Sequence, residues 1–189
     1  MKKALIYLWT VLDPLYFRFT RLDYIYHPSH QNTRSIFRIR LTSYKGTPLT
    51  FSDQTTIDKQ DLVLKIHLYN IQFIHDTGGL KNDIHKARYI YKEVQQSLPL
   101  LADYIQNHDK REQIKGIIGI TTMNKGSGRL GFETFDIHHS FYKWIKMVPF
   151  MLIHLLSAQA PSISALLKNQ PKYIAMSKDK LLSTYKTNV

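Results

Sequence analysis

The sequence predicts an α+β fold: an antiparallel sheet of about five strands packed by helices, in a single domain spanning residues 1–189. Three observations support this fold class. Several short segments alternate apolar and polar residues, a pattern typical of half-buried strands. Longer segments repeat apolar residues every three or four positions, which is typical of amphipathic helices. Strands and helices come in separate groups along the chain, an order that favours antiparallel pairing.

Five helices are predicted, of which a short one, "SISALLKNQ", follows Pro161. Helical periodicity marks the other four segments. The first lies within residues 5–19, where Pro14 is expected to kink or divide the helix. The second spans Lys81 to His108, and Pro99 predicts either a kink or two abutting helices there. The third runs from residue 141 to residue 158, and the fourth follows Ser177, whose hydroxyl is suited to capping a helix N-terminus.

Strand signals come between these helices. In "IFRIRLT" the apolar positions 37, 39 and 41 alternate with Arg38, Arg40 and Thr42. In "DLVLKIHLYN" the even-numbered apolar residues alternate with a set that includes Lys65 and His67. Alternation of this kind places one set of side chains on each face of a sheet. "KGIIGITTM", "RLGFETF" and "KYIAM" supply further strands, whereas "HPSHQNT", residues 27–33, is typical of a loop.

Composition restricts the functions to consider. Lys and Arg number 26 against 14 Asp and Glu, a formal net charge of +12, which attracts anions such as nucleic acid, acidic lipid headgroups or an envelope polymer. With no cysteine, the chain cannot form disulfides, cysteine-based zinc sites or thiol nucleophiles. We predict no cofactor and no metal, because the histidines lack the spacing of the common metal-binding motifs.

The N-terminal segment resembles a signal peptide only in part. Two lysines precede an apolar run, but that run lacks a small-x-small cleavage site and continues into Asp13 and Pro14. The chain also lacks a run of about 20 apolar residues. We therefore expect a cytoplasmic protein, with peripheral contact to the inner face of the cell membrane as an additional expectation.

The segment "GSGRLGF" contains the glycine spacing G-x-G-x-x-G, which holds a pyrophosphate in dinucleotide-binding proteins. That function requires the glycines to open a helix and an acidic residue about 20 positions further on. Here aromatic, strand-like residues follow the glycines, and position 151 is a methionine. We predict a hairpin loop between two strands, with Arg129 and Glu133 on one face of the second strand.

Polar residues on the exposed faces of the strands form the candidate site. The predicted ligand-binding residues are Arg38, Arg40, Lys65, Asn70 and Arg129. Arginine and lysine suit phosphate or carboxylate groups, and Asn70 could orient a ligand. His67 and Glu133 are the catalytic candidates, because an imidazole beside a carboxylate can transfer protons near neutral pH. The alternative is an ordinary solvated sheet face, which antiparallel sheets commonly present.

The helix predicted from residue 141 to residue 158 has two interpretations. Lys143, Trp144 and Lys146 beside an apolar run would suit the surface of an acidic membrane. Alternatively, its apolar run is the main core helix, because buried helices are apolar all round.

At "LWTVLDPLYFRFTRL", "IFRIRLTSYKG", "DLVLKIHLYN", "RLGFETF" and "YIAMSKDKLLSTY" the sequence resembles the YkoP-like family of Bacillus-type bacteria. The resemblance covers nearly the whole chain. It implies an uncharacterised domain, found alone or attached to polysaccharide deacetylases, in a cell-envelope or glycan context, and it implies no established active site. The polar positions it points to are again Arg38, His67, Asn70, Arg129 and Glu133.

Together these observations predict an accessory or binding protein that recognises an anionic glycan, a lipid-linked sugar or a phospholipid headgroup through a basic sheet face. Two alternatives stay open: a group-transfer or hydrolytic enzyme that uses His67 and Glu133, and a nucleic-acid-binding protein. Nucleic acid is the less favoured partner, because the sequence shows no helix-turn-helix, ribonucleoprotein strand motif or basic run.

Overall fold

In the computed structural model, the described residues are 20–27, 30–68, 76–77, 82–122, 126–140, 142–144 and 170–186, with the single positions 7, 10, 14, 18 and 147. They form a six-stranded sheet, a two-stranded hairpin and two complete helices. The elements are β1 (Asp23–His27), β2 (His30–Ser43), β3 (Leu49–Thr50), β4 (Thr56–Ile57), β5 (Leu62–Leu68), α1 (Asp83–Gln106), β6 (Ile114–Thr121), a 3-10 turn (Ser127–Leu130), β7 (Glu133–Asp136), β8 (Lys172–Ser177) and α2 (Lys178–Tyr185).

The α+β fold class is confirmed, but the sheet is mixed and not purely antiparallel. Its strand order is β1-β2-β5-β6-β8-β7, and β5 pairs with β6 in parallel. The reason is α1, which connects these two strands and returns the chain to the end of the sheet where β5 began. The sixth strand is β1, which was not predicted from the sequence. The loop prediction for residues 27–33 is wrong at both ends, because His27 of β1 pairs with His30, the first residue of β2.

One face of the sheet carries the larger hydrophobic core, and we call it the core face. Fully or nearly fully buried aliphatic residues from the central strands, such as Ile39, Leu64 and Ile117, pack there against α1 and α2. Leu101 of α1 and Leu181 of α2 contribute the helical side of the contact. Burial of these side chains stabilises the fold by about 1.5–3 kcal/mol each.

Helix α1 is continuous across Pro99, where the sequence suggested a kink or a division. The helix begins after Asn82, whose side chain accepts a hydrogen bond from the backbone N–H of Ile84 at 2.8 Å. Leu98 and Leu101, on either side of the proline, are completely buried. Packing at these positions holds the turn in place even though proline removes one backbone hydrogen bond.

The opposite face of the sheet is partly covered by residues 44–61, which we call the strap. Its two short strands, β3 and β4, pair with each other, and its ends are joined where the Tyr44 N–H donates to the carbonyl of Asp61 at 2.8 Å. Ile57 of the strap is buried above β6, close to Gly116. A Cβ atom at Gly116 would lie 2.4 Å from the carbonyl oxygen of Met176, so only glycine fits between these strands.

The predicted cap of the last helix is confirmed, and it is also tied to the strap. Ser177 is the N-cap of α2, and its hydroxyl accepts a hydrogen bond from the N–H of Lys180 at 3.2 Å. The same hydroxyl donates to the carboxylate of Asp53 in the strap at 2.5 Å. Desolvation, the largest influence, raises the pKa of Asp53, but hydrogen bonds from Ser177 and Thr55 outweigh it and lower the pKa.

At the N-terminal end, residues 7, 10, 14 and 18 are helical and exposed. These positions lie on the polar side of the helix predicted within residues 5–19, and its apolar stripe lies outside the described residues. Among the described parts of the chain, no helix has the length and apolarity needed to cross a membrane.

Candidate functional site

Four of the predicted residues lie together on the face opposite the core, and we call Arg38, Arg40, Lys65 and His67 the basic quartet. In the antiparallel register of β2 and β5, Arg38 faces His67 and Arg40 faces Lys65. Directly opposed residues have Cβ atoms about 4.5–5.5 Å apart, and residues two apart along a strand are separated by roughly 6.6 Å. The register of the two strands therefore places three cationic side chains and one imidazole next to one another on this face.

One member of the quartet, Arg38, is not solvated in the way that the alternation of the strands allowed. Arg38 is only 3% exposed, and its guanidinium lies over the ring of Tyr24, 5.1 Å from the centroid. Its NH2 group also donates to the hydroxyl of Tyr24 at 2.8 Å. A cation over an aromatic face is stabilised electrostatically, and these two contacts fix the orientation of the guanidinium.

Arg40 is partly exposed and makes one contact to the N-terminal segment. Its NH1 group donates to the carbonyl oxygen of Thr20 at 3.0 Å. Its Nε–H is buried and has no hydrogen-bond acceptor in the part of the chain that the structure describes. Lys65 and His67 are likewise partly exposed, so solvent reaches three members of the quartet.

The centre of this face, next to the quartet, is apolar. Beside Lys65, β6 presents Ile118 and β8 presents Ala175, both buried beneath the strap. Next to them Tyr173 packs edge-on against Tyr44, with ring centroids 6.2 Å apart. Burial, together with the nearby Tyr142, raises the pKa of Tyr44 to about 12, and its hydroxyl donates to the carbonyl of Thr47 at 2.7 Å. The quartet thus lies beside a second hydrophobic core.

The structure does not bring His67 and Glu133 together. Both side chains belong to the same face, but β6 and β8 lie between the strands that carry them. Three inter-strand spacings separate the two backbones by roughly 14 Å, more than direct or one-water proton transfer can span.

Glu133 instead holds the strap to the sheet. Its two carboxylate oxygens accept the N–H of Ser52, each at 3.1 Å, and its Oε1 accepts the Ser52 hydroxyl at 2.7 Å. Asp53, the next residue, reaches Ser177 on the neighbouring strand. These contacts give Glu133 a structural role, which the sequence did not suggest, because nothing in the local pattern connects residues 52 and 133.

The expectation that Arg129 and Glu133 share a strand face is wrong. Arg129 lies in the 3-10 turn, and Glu133 is the first residue of β7. The turn packs on the core face, where Leu130 is buried and its carbonyl accepts the hydroxyl of Tyr185 at 3.1 Å. Arg129 itself is exposed and is not part of the basic quartet.

The glycine segment also differs from the predicted hairpin. Strands β6 and β7 do not pair with each other, because β8 lies between them and runs antiparallel to both. Gly126 and Gly131 take the left-handed conformation, with φ of 89° and 82°, at the two ends of the 3-10 turn. The segment leads into β7 and opens no α-helix, so it lacks the geometry that a dinucleotide fingerprint requires.

Two predicted residues, Asn70 and Lys146, lie outside the described residues. Of the other proposed membrane-contact residues, Trp144 is 67% exposed, and the N–H of Lys143 donates to the carbonyl of His139 at 2.9 Å. Most of the helix predicted from residue 141 to residue 158 also lies outside the described part, so its two interpretations stay open. Within the described ranges, no three His, Asp or Glu side chains are grouped in a way that could hold a metal ion.

Sequence reasoning missed Tyr24, which fixes Arg38. The segment "DYIYH" contains three residues of high β propensity and is followed in the sequence by a proline, a signal that is sufficient to predict β1. It did not show that β1 pairs with β2 in a register that places Tyr24 opposite Arg38.

The fold and the basic quartet define an α+β protein whose mixed six-stranded sheet carries a cluster of cations on one face. The chain belongs to the YkoP domain family, whose model matches residues 2–185. It is 43% identical to a protein of Bacillus subtilis (strain 168) described as "Uncharacterized protein YkoP", over 98% of both chains. No solved structure matches the chain.

Proposed function

We propose that this protein binds an anionic group at the basic quartet, supplied by a cell-envelope glycan, a lipid-linked sugar or a phospholipid headgroup. The chemistry common to these ligands is a phosphate or carboxylate attached to a larger molecule. The observation that carries the proposal is the register of β2 and β5, which opposes Arg38 to His67 and Arg40 to Lys65 on one face.

The opposed cations favour an anion between them. Like charges directly opposite each other on neighbouring strands destabilise a sheet. An anion that contacts Arg40 and Lys65 is attracted by both charges, and the planar guanidinium can bind two of its oxygens at once. Partial burial increases the attraction, because charges interact more strongly in a low-dielectric environment.

The quartet is also prearranged. Arg38 is held by Tyr24 through its ring and its hydroxyl, so this guanidinium loses little side-chain freedom when a ligand arrives. The buried Nε–H of Arg40 has no acceptor within the described part of the chain, which leaves donor capacity on a second guanidinium. The net charge of +12 adds long-range attraction for any anion.

The proposal includes a cytoplasmic location with peripheral contact to the inner face of the cell membrane. The support for membrane contact is Trp144, which is 67% exposed and adjoins Lys143. Indole rings favour the headgroup region of a bilayer, and lysine is attracted to its acidic lipids. Such contact would bring the quartet close to lipid-linked or headgroup anions.

The experiment compares two double variants with the same net charge. Arg40→Gln with Lys65→Gln removes two members of the quartet, whereas Lys45→Gln with Lys59→Gln removes two exposed lysines of the strap. Binding is measured to vesicles containing phosphatidylglycerol and, separately, to soluble polyglycerol phosphate. Loss of two charge-assisted contacts should weaken binding about tenfold or more, while the control should change it by about twofold.

Equal losses in the two double variants would show a general charge attraction and would refute a site at the quartet. The proposal would also be refuted if the unmodified protein bound neither the vesicles nor the soluble polymer. Binding to vesicles alone would identify a headgroup ligand, and binding to the soluble polymer alone would identify a glycan-type polyanion.

A further inference from the structure

A cavity of about 120 Å³ lies between α1 and the core face of the sheet, on the side opposite the basic quartet. Within the described parts of the chain, none of the residues that line it is charged. Its inner wall is buried and is formed by aliphatic and aromatic side chains, among them Phe37, Ile66 and Phe132. Its rim includes the exposed residues Ala87 of α1 and Gly126 of the glycine segment, so the cavity opens to solvent between these two elements.

The floor of the cavity is Gly119, which lies within the central strand β6. Glycine in a strand interior is destabilising by about 0.5–1 kcal/mol relative to alanine, and it often marks a place where a ligand approaches the backbone closely. Gly116 in the same strand is explained by the nearby carbonyl of Met176. Gly119 has no such backbone neighbour: a Cβ atom there would meet only side-chain atoms, of Ile66 at 3.1 Å and Ile174 at 3.3 Å. The methyl group of an alanine would thus enter the cavity floor between two isoleucines.

The size and lining of the cavity indicate what it can hold. A cavity of about 150 Å³ lined by Leu, Ile and Phe stays dry and binds benzene. By the same scale, a cavity of about 120 Å³ accommodates roughly five carbon atoms. Because the described lining carries no charged side chain, a charged group would lose its hydration there without an opposite charge to compensate.

We propose that this cavity is a second binding site, which takes the uncharged aliphatic end of a ligand to a depth of about five carbon atoms. The remainder of the ligand leaves between Ala87 and Gly126, where the lining residues are exposed. The site is separate from the basic quartet, since the sheet lies between them, and it does not depend on the proposed anion binding.

Straight-chain alcohols from propanol to octanol test the proposal without involving any charge. Saturable shifts of the Gly119 and Ser127 amide resonances are measured by NMR for each alcohol with the full-length protein. Each methylene group buried should increase affinity about fourfold up to pentanol, and longer chains should gain little, because their additional carbons remain in water. Affinity that keeps rising through octanol would indicate partitioning onto apolar surface, and the absence of saturable shifts would mean there is no site; either result overturns the proposal.

Two substitutions at one position on α1 give the matched control. Val94 lines the cavity and is only partly buried in the core, so it can be changed with limited effect on folding. Val94→Phe fills the cavity and should weaken pentanol binding at least about tenfold, whereas Val94→Ala enlarges it and should move the plateau to a longer alcohol. Unchanged pentanol binding in a folded Val94→Phe protein would refute the assignment, and thermal unfolding of both variants establishes that they fold.

The aliphatic end belongs either to a lipid or to a small free molecule, and a competition experiment distinguishes these two sources. Dihexanoylphosphatidylcholine is added at a concentration below that at which it forms micelles, in the presence of bound pentanol. Displacement of pentanol from the unmodified protein identifies a lipid acyl chain as an occupant. Retention of pentanol identifies a small free molecule, because the rim then excludes a ligand with a headgroup.

Discussion

Glu133→Ala tests whether this carboxylate fastens the strap, as the structure indicates. Ser52 donates two groups to it, the N–H at 3.1 Å to each oxygen and the hydroxyl at 2.7 Å. A hydrogen bond to a charged group contributes about 1.5–3 kcal/mol, but these bonds are exposed to water, so we expect about 0.5–1 kcal/mol from each donor. The substitution should therefore lower the free energy of unfolding by about 1–2 kcal/mol and the melting temperature by about 2–8 °C.

A double-mutant cycle with Ser52→Ala isolates this interaction. Ser52→Ala alone removes only the hydroxyl and should cost about 0.5–1 kcal/mol, and urea unfolding of the double variant should show a coupling of at least about 0.5 kcal/mol. Asp136→Ala, on the same strand, removes an exposed ion pair with Lys172 and should cost less than about 0.5 kcal/mol. Additive effects of Glu133→Ala and Ser52→Ala, within about 0.3 kcal/mol, would contradict the fastening role.

Three further predictions concern backbone fit and ionisation. Gly116→Ala should cost about 1–3 kcal/mol or more in urea unfolding, because the new Cβ would lie 2.4 Å from the carbonyl oxygen of Met176. Gly128→Ala, whose Cβ meets nothing within 4 Å, is its control and should be nearly neutral. Asp53 should stabilise the protein at neutral pH and lose that contribution as pH falls through its lowered folded-state pKa. The free energy of unfolding of Asp53→Asn should therefore decrease less at acidic pH than that of the unmodified protein. Tyr44, whose pKa burial raises from 10.0 to about 12, should favour the folded state fully below pH 10 and progressively less as pH rises towards 12. Tyrosinate absorbance of the folded protein, compared with that of Tyr44→Phe, measures this shift.

Each of these has an outcome that contradicts it. Equal stability of the two alanine variants would mean that the strands separate at Gly116 without cost. If Asp53→Asn lost as much unfolding free energy at acidic pH as the unmodified protein, another group would be responsible for the acid sensitivity. Titration of Tyr44 near its ordinary value would show that water reaches its hydroxyl in the folded protein.

Alternation along single strands was sufficient to predict most of the sheet. The assignment of side chains to the two faces of β2 and β5 was predicted correctly, because a side-chain period of two is a local property of an extended chain. The same pattern correctly placed Arg38, Arg40, Lys65 and His67 on one face. Local pattern failed at residues 129–132, where "RLGFETF" suggested a strand but the chain forms a 3-10 turn, Ser127–Leu130, that ends at Gly131.

Pairing order was not predictable in the same way. The hairpin expected between "IIGITTM" and "RLGFETF" is replaced by an inserted strand, β8, which comes about 36 residues after β7 in the chain. This insertion separates Glu133 from His67 and rules out the direct contact that the catalytic alternative needed. Strand order depends on which pairings bury the most apolar surface overall, and no single segment carries that information.

The sequence by itself determined the α+β class, the existence of most of the strands and the common face of the basic quartet. These features depend on side-chain periodicity and on local capping, which act over a few neighbouring residues. Only the tertiary structure decided that Arg38 is buried against Tyr24, that Glu133 binds the strap and that a cavity lies above Gly119. Each of these results from contacts between segments distant in the chain, whose free energy depends on how the whole core packs.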